Sequence, residues 1–420
     1  VMLLAGFAFL ESLQVFGVRP GLDSTEKLCL ALGNPEKSFS TIHIVGTNGK
    51  GSTSLYLSKI LQNHQKKVAL YTSPHLISLC ERLRINDEPV SEEILNRALL
   101  KVKEAALKEN ISPTYFEALT VAAFLICKEQ GVEVLVAEAG LGGRFDATAV
   151  AKGILTILTS IGLEHTAILG DTEEKILLEK LGIMQQETHL VHFPLTEKLS
   201  LALKKFKEEK GINIVSVIET HLPKLQNLGR HYTENATLAL SAARFFLKNE
   251  FSEPLSYEAL EKVFWPGRMQ LLYDKSGKLR YILDGAHNPH AVKRLVLAMQ
   301  ENFPNEKFVT VLGVLQDKDH SEMLQMLSNV VSEFYPSGTP YERFTPVETL
   351  KMEIENLGLK VKSGNLMSPE FLEDVSKNVS TPILITGSLY LIGASIEILK
   401  ADFNELAFFK NLKPFENERH

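Results

Sequence analysis

Lys50 lies in the run Gly46-Thr47-Asn48-Gly49-Lys50-Gly51-Ser52, directly after the β-branched stretch Thr41 to Val45. That stretch suits a strand, and Ser52 to Gln62 has helical periodicity with Leu55, Ile60 and Leu61 apolar. A strand–loop–helix junction of this composition lets backbone N–H groups approach phosphate oxygens. The helix dipole and the lysine charge add to the attraction. Ser52 then offers a hydroxyl to a magnesium ion. The strict phosphate-loop pattern, with Ser or Thr directly after the lysine, is not met because Gly51 intervenes, and an ordinary strand-to-helix turn competes as a reading of this stretch alone.

Further groups capable of chemistry recur downstream. Val132 to Ala137 reads as a strand ending in Glu138, and carboxyl ends of parallel strands are where ligands bind. The strand Ile154 to Ser160 runs into Leu163-Glu164-His165-Thr166, and a helix from about Thr172 to Met184 carries Lys180. Later, a strand at Tyr281 to Leu283 leads to the polar loop Asp284-Gly285-Ala286-His287-Asn288, with Pro289 suited to the first turn of the next helix.

The elements that must position these groups alternate. Strands are expected at Val68 to Thr72 and His189 to Phe193, and helices at Glu92 to Glu109, Tyr115 to Glu129, Leu199 to Glu209, Tyr232 to Phe246 and Tyr257 to Val263. Glu81 to Asn86 alternates charged and apolar residues like a half-exposed strand or ordered loop. Residues 3 to 32 read as two short helices around a turn at Gly17 to Gly21. Strand–helix alternation implies a mostly parallel α/β sheet. Trp265-Pro266-Gly267-Arg268 breaks the periodicity and marks the expected boundary between a first domain at 1–265 and a smaller Rossmann-like α/β domain at 266–420. Strands at Phe308 to Leu312 and Ile383 to Thr386, with helices between, belong to the second.

Composition bounds the function. At 420 residues the chain exceeds one typical core, while 45% hydrophobic and 23% charged residues are ordinary for a globular protein. A net charge of −6 without a long basic run argues against nucleic acid as a partner. Three scattered cysteines, Cys29, Cys80 and Cys127, have no metal-ligand spacing and suit a reducing, cytoplasmic setting. The apolar start Val1 to Leu10 lacks a basic flank, so an amphipathic helix is expected rather than a signal segment, and no apolar run reaches membrane-spanning length.

The loop Gly-Thr-Asn-Gly-Lys-Gly-Ser resembles that of the folylpolyglutamate synthase and dihydrofolate synthase family, a branch of the Mur ligase superfamily. The resemblance extends over nearly the whole chain. Thr72 to Leu76 with Glu81-Arg82, Glu138 to Thr148, Ser160 to Thr166, Glu179 to Ile183, Pro266 to Arg268, Asp284 to Pro289, Asp317 to Asp319 and Thr386 to Tyr390 occur in family order. It implies a P-loop ATPase domain followed by the Rossmann-like domain, and an ATP-dependent ligase adding L-glutamate to reduced folate, with dihydropteroate as a further acceptor. Small molecules are the implied partners of a monomer.

By the same resemblance ATP is held by Gly46, Thr47, Asn48, Gly49, Lys50, Gly51 and Ser52, by Asn235, and by Arg268, Asp284 and His287 from the second domain. Two Mg²⁺ ions are implied, with Ser52, Glu138, His165 and a carbamylated Lys180 as ligands. Lys50, His165, Lys180 and His287 carry the chemistry. His75, Arg82, Arg144 and Asp146 fall in loops expected near the folate, and Ser388 opens a helix where glutamate is expected. These five read equally as local salt bridges or helix caps. The chain departs from the family at Tyr232 (usually glutamine), Ala149 (usually asparagine) and Leu181 (usually alanine). A cell-wall Mur ligase is the rival within the chemistry, disfavoured because the loop is reached by Gly46. A nucleotide switch without ligation is the rival outside it.

Overall fold

The computed structural model describes residues 5–13, 21–218, 220–410 and 412. The expected turn at Gly17 to Gly21 lies outside the described residues except for Gly21. Two compact units emerge, the first comprising 1–75, 80–225 and 233–263, the second 76–79, 226–232 and 264–420.

The first unit holds eight strands: β1 (Ser40–Val45), β2 (Val68–Tyr71), β3 (Leu83–Ile85), β4 (Glu88–Pro89), β5 (Val134–Glu138), β6 (Gly153–Leu158), β7 (His189–His192) and β8 (Asn213–Val215). They form one sheet in the order β4-β3-β2-β5-β1-β6-β7-β8. All neighbours are parallel except the β2–β3 and β3–β4 pairs, so the mostly parallel α/β organisation holds. β1 is central, with Ile44 opposite Glu138 of β5 and Val45 opposite Leu158 of β6. From β1 the chain crosses to β2 on one side, and from β6 it crosses to β7 on the other. The divergence opens a crevice at the carboxyl ends of β1 and β6, the place where doubly wound sheets bind ligands.

Burial explains why the central strands read as continuous apolar runs: β5 is buried at every position. The helix Tyr115–Glu129 starts in a capping box in which the Thr114 hydroxyl accepts from the Glu117 N–H and the Glu117 carboxylate accepts from the Thr114 N–H. Within Glu81 to Asn86 a strand forms as expected, β3 at Leu83–Ile85 entered from a 3₁₀ turn at Leu79–Arg82, but the segment is not half-exposed: β3 pairs with β2, and Glu81, Arg82 and Arg84 are buried.

In the second unit β9 (Gln270–Tyr273), β10 (Leu279–Asp284), β11 (Phe308–Leu312), β12 (Val331–Gly338), β13 (Asn365–Leu366) and β14 (Ile383–Thr386) form a sheet ordered β13-β12-β11-β14-β10-β9. Only β9 runs antiparallel. Leu283, Val311, Ile385, Leu391 and Ile396 lie in its core. Among the described residues no helix is long and apolar enough to cross a membrane.

Candidate active site

The phosphate loop is built at the carboxyl end of β1. Gly46 and Gly49 have φ of 147° and 85°, left-handed backbone that glycine adopts without strain. At Gly49 there is a second constraint, since a Cβ there would meet the Asn235 amide oxygen at 2.6 Å. The helix Lys50–Asn63 follows, with Gly49 as its N-cap and no side chain capping it, so its first N–H groups face the loop. Ser52 is buried in that first turn.

The loop after β6 stitches this turn into shape. Ser160 O accepts from the Thr47 N–H at 2.7 Å, and Ser160 Oγ accepts from the Asn48 N–H at 3.1 Å. Ser160 Oγ and Thr159 Oγ1 each donate to Asn48 O, at 3.0 and 2.7 Å. The Thr47 hydroxyl donates to Gly162 O and accepts from Gly162 N–H, both at 3.1 Å. Thr159, Ser160 and Gly162 are therefore braces of the phosphate loop, a role their sequence positions alone did not disclose.

Two lysines converge on one carbonyl. Lys50 Nζ donates to Gly46 O at 3.0 Å and to Thr47 O at 3.3 Å, while Lys180 Nζ also donates to Gly46 O at 3.0 Å. Lys180 pairs in addition with Glu164 Oε1 at 2.7 Å. It sits on the helix Glu173–Leu181, its side chain 2% exposed, with Leu177, Leu181 and Ile183 anchoring that helix in the core. Gly143 packs on the Lys180 backbone, where a Cβ would collide. Lys180 is thus no helix-surface lysine, although helical periodicity alone would allow one. Desolvation first, and then the Lys50 charge, pull the Lys180 amine down to about 8. Burial alone would raise the Glu164 carboxyl, but Lys50 and Lys180 outweigh it and hold it below the usual glutamate range.

Glu138 ends β5 beside β1, and its Oε2 accepts from the Ser73 N–H at 3.1 Å. His165 is exposed in left-handed backbone at φ 45°. Among the described residues no group of three or more His, Cys, Asp or Glu side chains is arranged as a metal cluster. Hard oxygen donors are nevertheless available in the Ser52 hydroxyl and the Glu138 carboxylate, which suit Mg²⁺. An ammonium at Lys180 does not.

Asn235, on the helix Arg230–Leu247, is 3% exposed, and its Nδ2 has no hydrogen-bond partner among the described residues. A buried unmatched donor packed against the phosphate loop calls for an acceptor from a ligand.

The residues expected near the folate occupy two loops of the first unit. Arg82 Nε donates to His75 Nδ1 at 2.9 Å, and its guanidinium lies over the Tyr115 ring, 5.7 Å from the centroid. Arg144 is exposed and pairs with Glu179 at 3.5 Å. Asp146 is turned into its own loop. Oδ2 accepts from the Gly140 and Leu141 N–H groups at 2.7 and 3.0 Å, and Oδ1 accepts from the Thr148 N–H at 3.0 Å and the Thr148 hydroxyl at 2.5 Å. An Asp146→Ala chain is expected to lose about 1–3 kcal/mol of stability, because three backbone N–H groups forfeit a charged acceptor. Denaturant unfolding checks this, and a loss within about 0.5 kcal/mol, typical of surface changes, would mean the loop holds itself without the carboxylate.

In the second unit, Asp284 ends β10, its Oδ2 accepting from the Met269 N–H and its Oδ1 from the Ala286 N–H, both at 2.9 Å. Burial pushes its carboxyl up and the Arg268 charge opposes that. His287 Nδ1 approaches Gly285 O at 2.7 Å, and Arg268 Nη1 donates to Gly267 O at 3.4 Å. Asn227, which no motif singled out, donates to Arg268 O at 2.6 Å and accepts from the Trp265 N–H at 3.1 Å, tying off the Pro266-Gly267-Arg268 turn. Ser388 Oγ accepts from the Tyr390 N–H at 3.2 Å, capping the helix Leu389–Leu399, and the side chain is buried.

Comparison with known proteins agrees with this architecture. Residues 267–384 match the family model of the Mur ligase glutamate ligase domain. The chain is 32% identical over 413 residues to the dihydrofolate synthase/folylpolyglutamate synthase of Bacillus subtilis (strain 168), spanning 90% of this chain and 94% of that one. Escherichia coli FolC in complex with DHPP and ADP superposes with a TM-score of 0.82 at 28% identity, covering 95% of this chain and 98% of that one. The bifunctional folylpolyglutamate synthase/dihydrofolate synthase of Yersinia pestis complexed with AMPPNP and Mn ion gives 0.82 at 27% identity, covering 94% and 98%. With a crevice built around Lys50 and this likeness along almost its full length, the chain belongs to the dihydrofolate synthase/folylpolyglutamate synthase family of ligases.

Proposed function

We propose that the chain joins L-glutamate to the carboxylate of a reduced folate, and to dihydropteroate, at the expense of ATP, with the crevice between β1 and β6 as the phosphoryl-transfer site. The observation that carries this reading is the braced loop with Lys50 at an uncapped helix start, beside Glu138 and the buried Lys180. Membership of the family makes the protein an ATP-dependent ligase.

A carboxylate resists an amine at neutral pH because oxide is a poor leaving group. Transfer of the γ-phosphoryl group to the carboxylate oxygen gives an acyl phosphate and ADP. The glutamate nitrogen then forms the C–N bond as the C–O bond to phosphate breaks, releasing phosphate and a proton. Such transfer needs positioning and charge neutralisation more than covalent help from the protein. The N–H groups of Gly46 to Ser52 and the Lys50 ammonium hold the β- and γ-phosphates. Asn235 offers its unmatched amide to the nucleotide.

Ser52, Glu138, His165 and Lys180 are the residues that hold magnesium, which when bound neutralises phosphate charge. Lys180 fits that set only as an oxygen anion, hence its proposed carbamylation. His75 and Arg82, already bonded to each other, and Arg144 and Asp146 line the folate side. Ser388 belongs with the incoming glutamate.

The test is ADP release measured with dihydropteroate and with tetrahydrofolate separately, each with and without L-glutamate. Release that requires both glutamate and at least one of the two acceptors is expected. ATP turnover indifferent to glutamate would overturn the reading.

A further inference from the structure

Glu164 has none of these roles, yet its carboxylate pairs with one of the two lysines that share the Gly46 carbonyl. Two ammonium groups, those of Lys50 and Lys180, donate to the single carbonyl of Gly46, each at 3.0 Å. Like charges brought that close repel unless a counter-charge intervenes. Glu164 supplies it, with Oε1 at 2.7 Å from Lys180 Nζ and its side chain 13% exposed. Its placement is not an accident of a mobile surface side chain. The preceding Gly162 is clamped through both N–H and C=O by the Thr47 hydroxyl, so the segment that carries the carboxylate also braces the phosphate loop.

We propose that Glu164 is an internal counter-anion of the phosphate loop, neutralising Lys50 and Lys180 in the nucleotide-free chain and yielding that place to the phosphates when a nucleotide binds. The inference rests on the reading of Lys50 as a phosphate ligand. Its physical content is competition. One carboxylate and a polyphosphate seek Lys50, and Lys180 as well while its amine carries no carbamate, so the carboxylate's loss on binding subtracts from affinity whatever it gained in the empty loop. Glu164 is thus a positioning residue. It keeps two repelling lysines in register on Gly46 O and sets how strongly the loop discriminates a nucleotide with its charge neutralised from a bare one.

A merely structural brace and a counter-anion predict opposite signs. Removing a brace loosens the loop and weakens binding, whereas removing a competitor tightens it. The experiment is calorimetric titration of ADP in excess chelator, without divalent metal, into the wild-type chain, Glu164→Gln, Glu164→Ala and Lys50→Ala. Glutamine keeps the shape, and alanine removes the group altogether. Both Glu164 variants are expected to bind metal-free ADP about three- to tenfold more tightly than wild type, with the gain shrinking as salt is raised. Unchanged or weaker binding by a Glu164→Gln protein with the wild-type circular dichroism spectrum and melting temperature overturns the inference. The Lys50→Ala arm separates the two failures. If it binds ADP as wild type does, the phosphate role of the loop is wrong. If it loses binding while Glu164→Gln is unchanged, only the Glu164 inference falls.

Discussion

Lys50→Ala is expected to keep the fold and lose at least about 10²-fold in ligation, the scale of one preorganised electrostatic contact to developing charge. Among the described residues the side chain donates hydrogen bonds to Gly46 O and Thr47 O, while the backbone of its helix is held independently by Ser54 Oγ donating to Lys50 O and by the Thr53 N–H donating to Gly49 O. Little stability should therefore go with the ammonium group. Steady-state turnover alongside a thermal melt makes the measurement. Near-wild-type turnover in a folded variant would remove the phosphate loop from the mechanism.

Lys180→Ala is expected to be as damaging, and for a reason that can be distinguished. Anionic oxygen ligands favour divalent cations beside a triphosphate, and an ammonium in that place repels them. The carbamate that would reverse the sign forms from the neutral amine and carbon dioxide. With the Lys180 amine drawn down to about 8 by burial and by Lys50, its neutral fraction rises as pH climbs through that value. Labelling by ¹³C-bicarbonate, followed by NMR, should accordingly grow with bicarbonate and with pH. Activity of Lys180→Ala should recover in part with acetate or propionate, which can occupy the vacated space as a free carboxylate. Full activity of the alanine variant without rescue, or absence of a carbamate signal in the active wild-type enzyme, would contradict the proposal.

Much of both units was legible because the signals are local. The β-branched run Thr41 to Val45, the helix Tyr115–Glu129, and the strands Phe308–Leu312 and Ile383–Thr386 follow from periodicity and punctuation within a few residues. β12 was not legible, since Pro336, Ser337 and Gly338 speak against a strand while parallel pairing with β11 and burial make it one. β9 was missed likewise, a short run after a Pro-Gly break that gains strand structure by pairing antiparallel with β10.

The same division runs through the site. The phosphate loop and Glu138 at its strand end could be read from types and spacing. The burial of Lys180 could not, because the core that covers its helix comes from Leu158, Leu190, Leu199 and Phe206, distant in sequence. Nor could the shared Gly46 carbonyl, the Ser160 and Thr47 braces, or Asn227 at the Arg268 turn, each of which is a contact between segments far apart in the chain. Motif order identified the family. Only the folded chain says which polar groups face each other.

The central claim is that the substrate carboxylate is activated by phosphorylation before the amide forms, and the most direct measurement follows an oxygen atom. Folate or dihydropteroate carrying heavy oxygen in its reacting carboxylate is incubated with ATP, Mg²⁺ and L-glutamate, and the inorganic phosphate released is analysed by mass. An acyl phosphate requires one carboxylate oxygen to leave with the phosphate, so each amide formed should deliver one labelled phosphate. Amide formation with unlabelled phosphate, or ATP cleaved to AMP and pyrophosphate instead, would contradict the account.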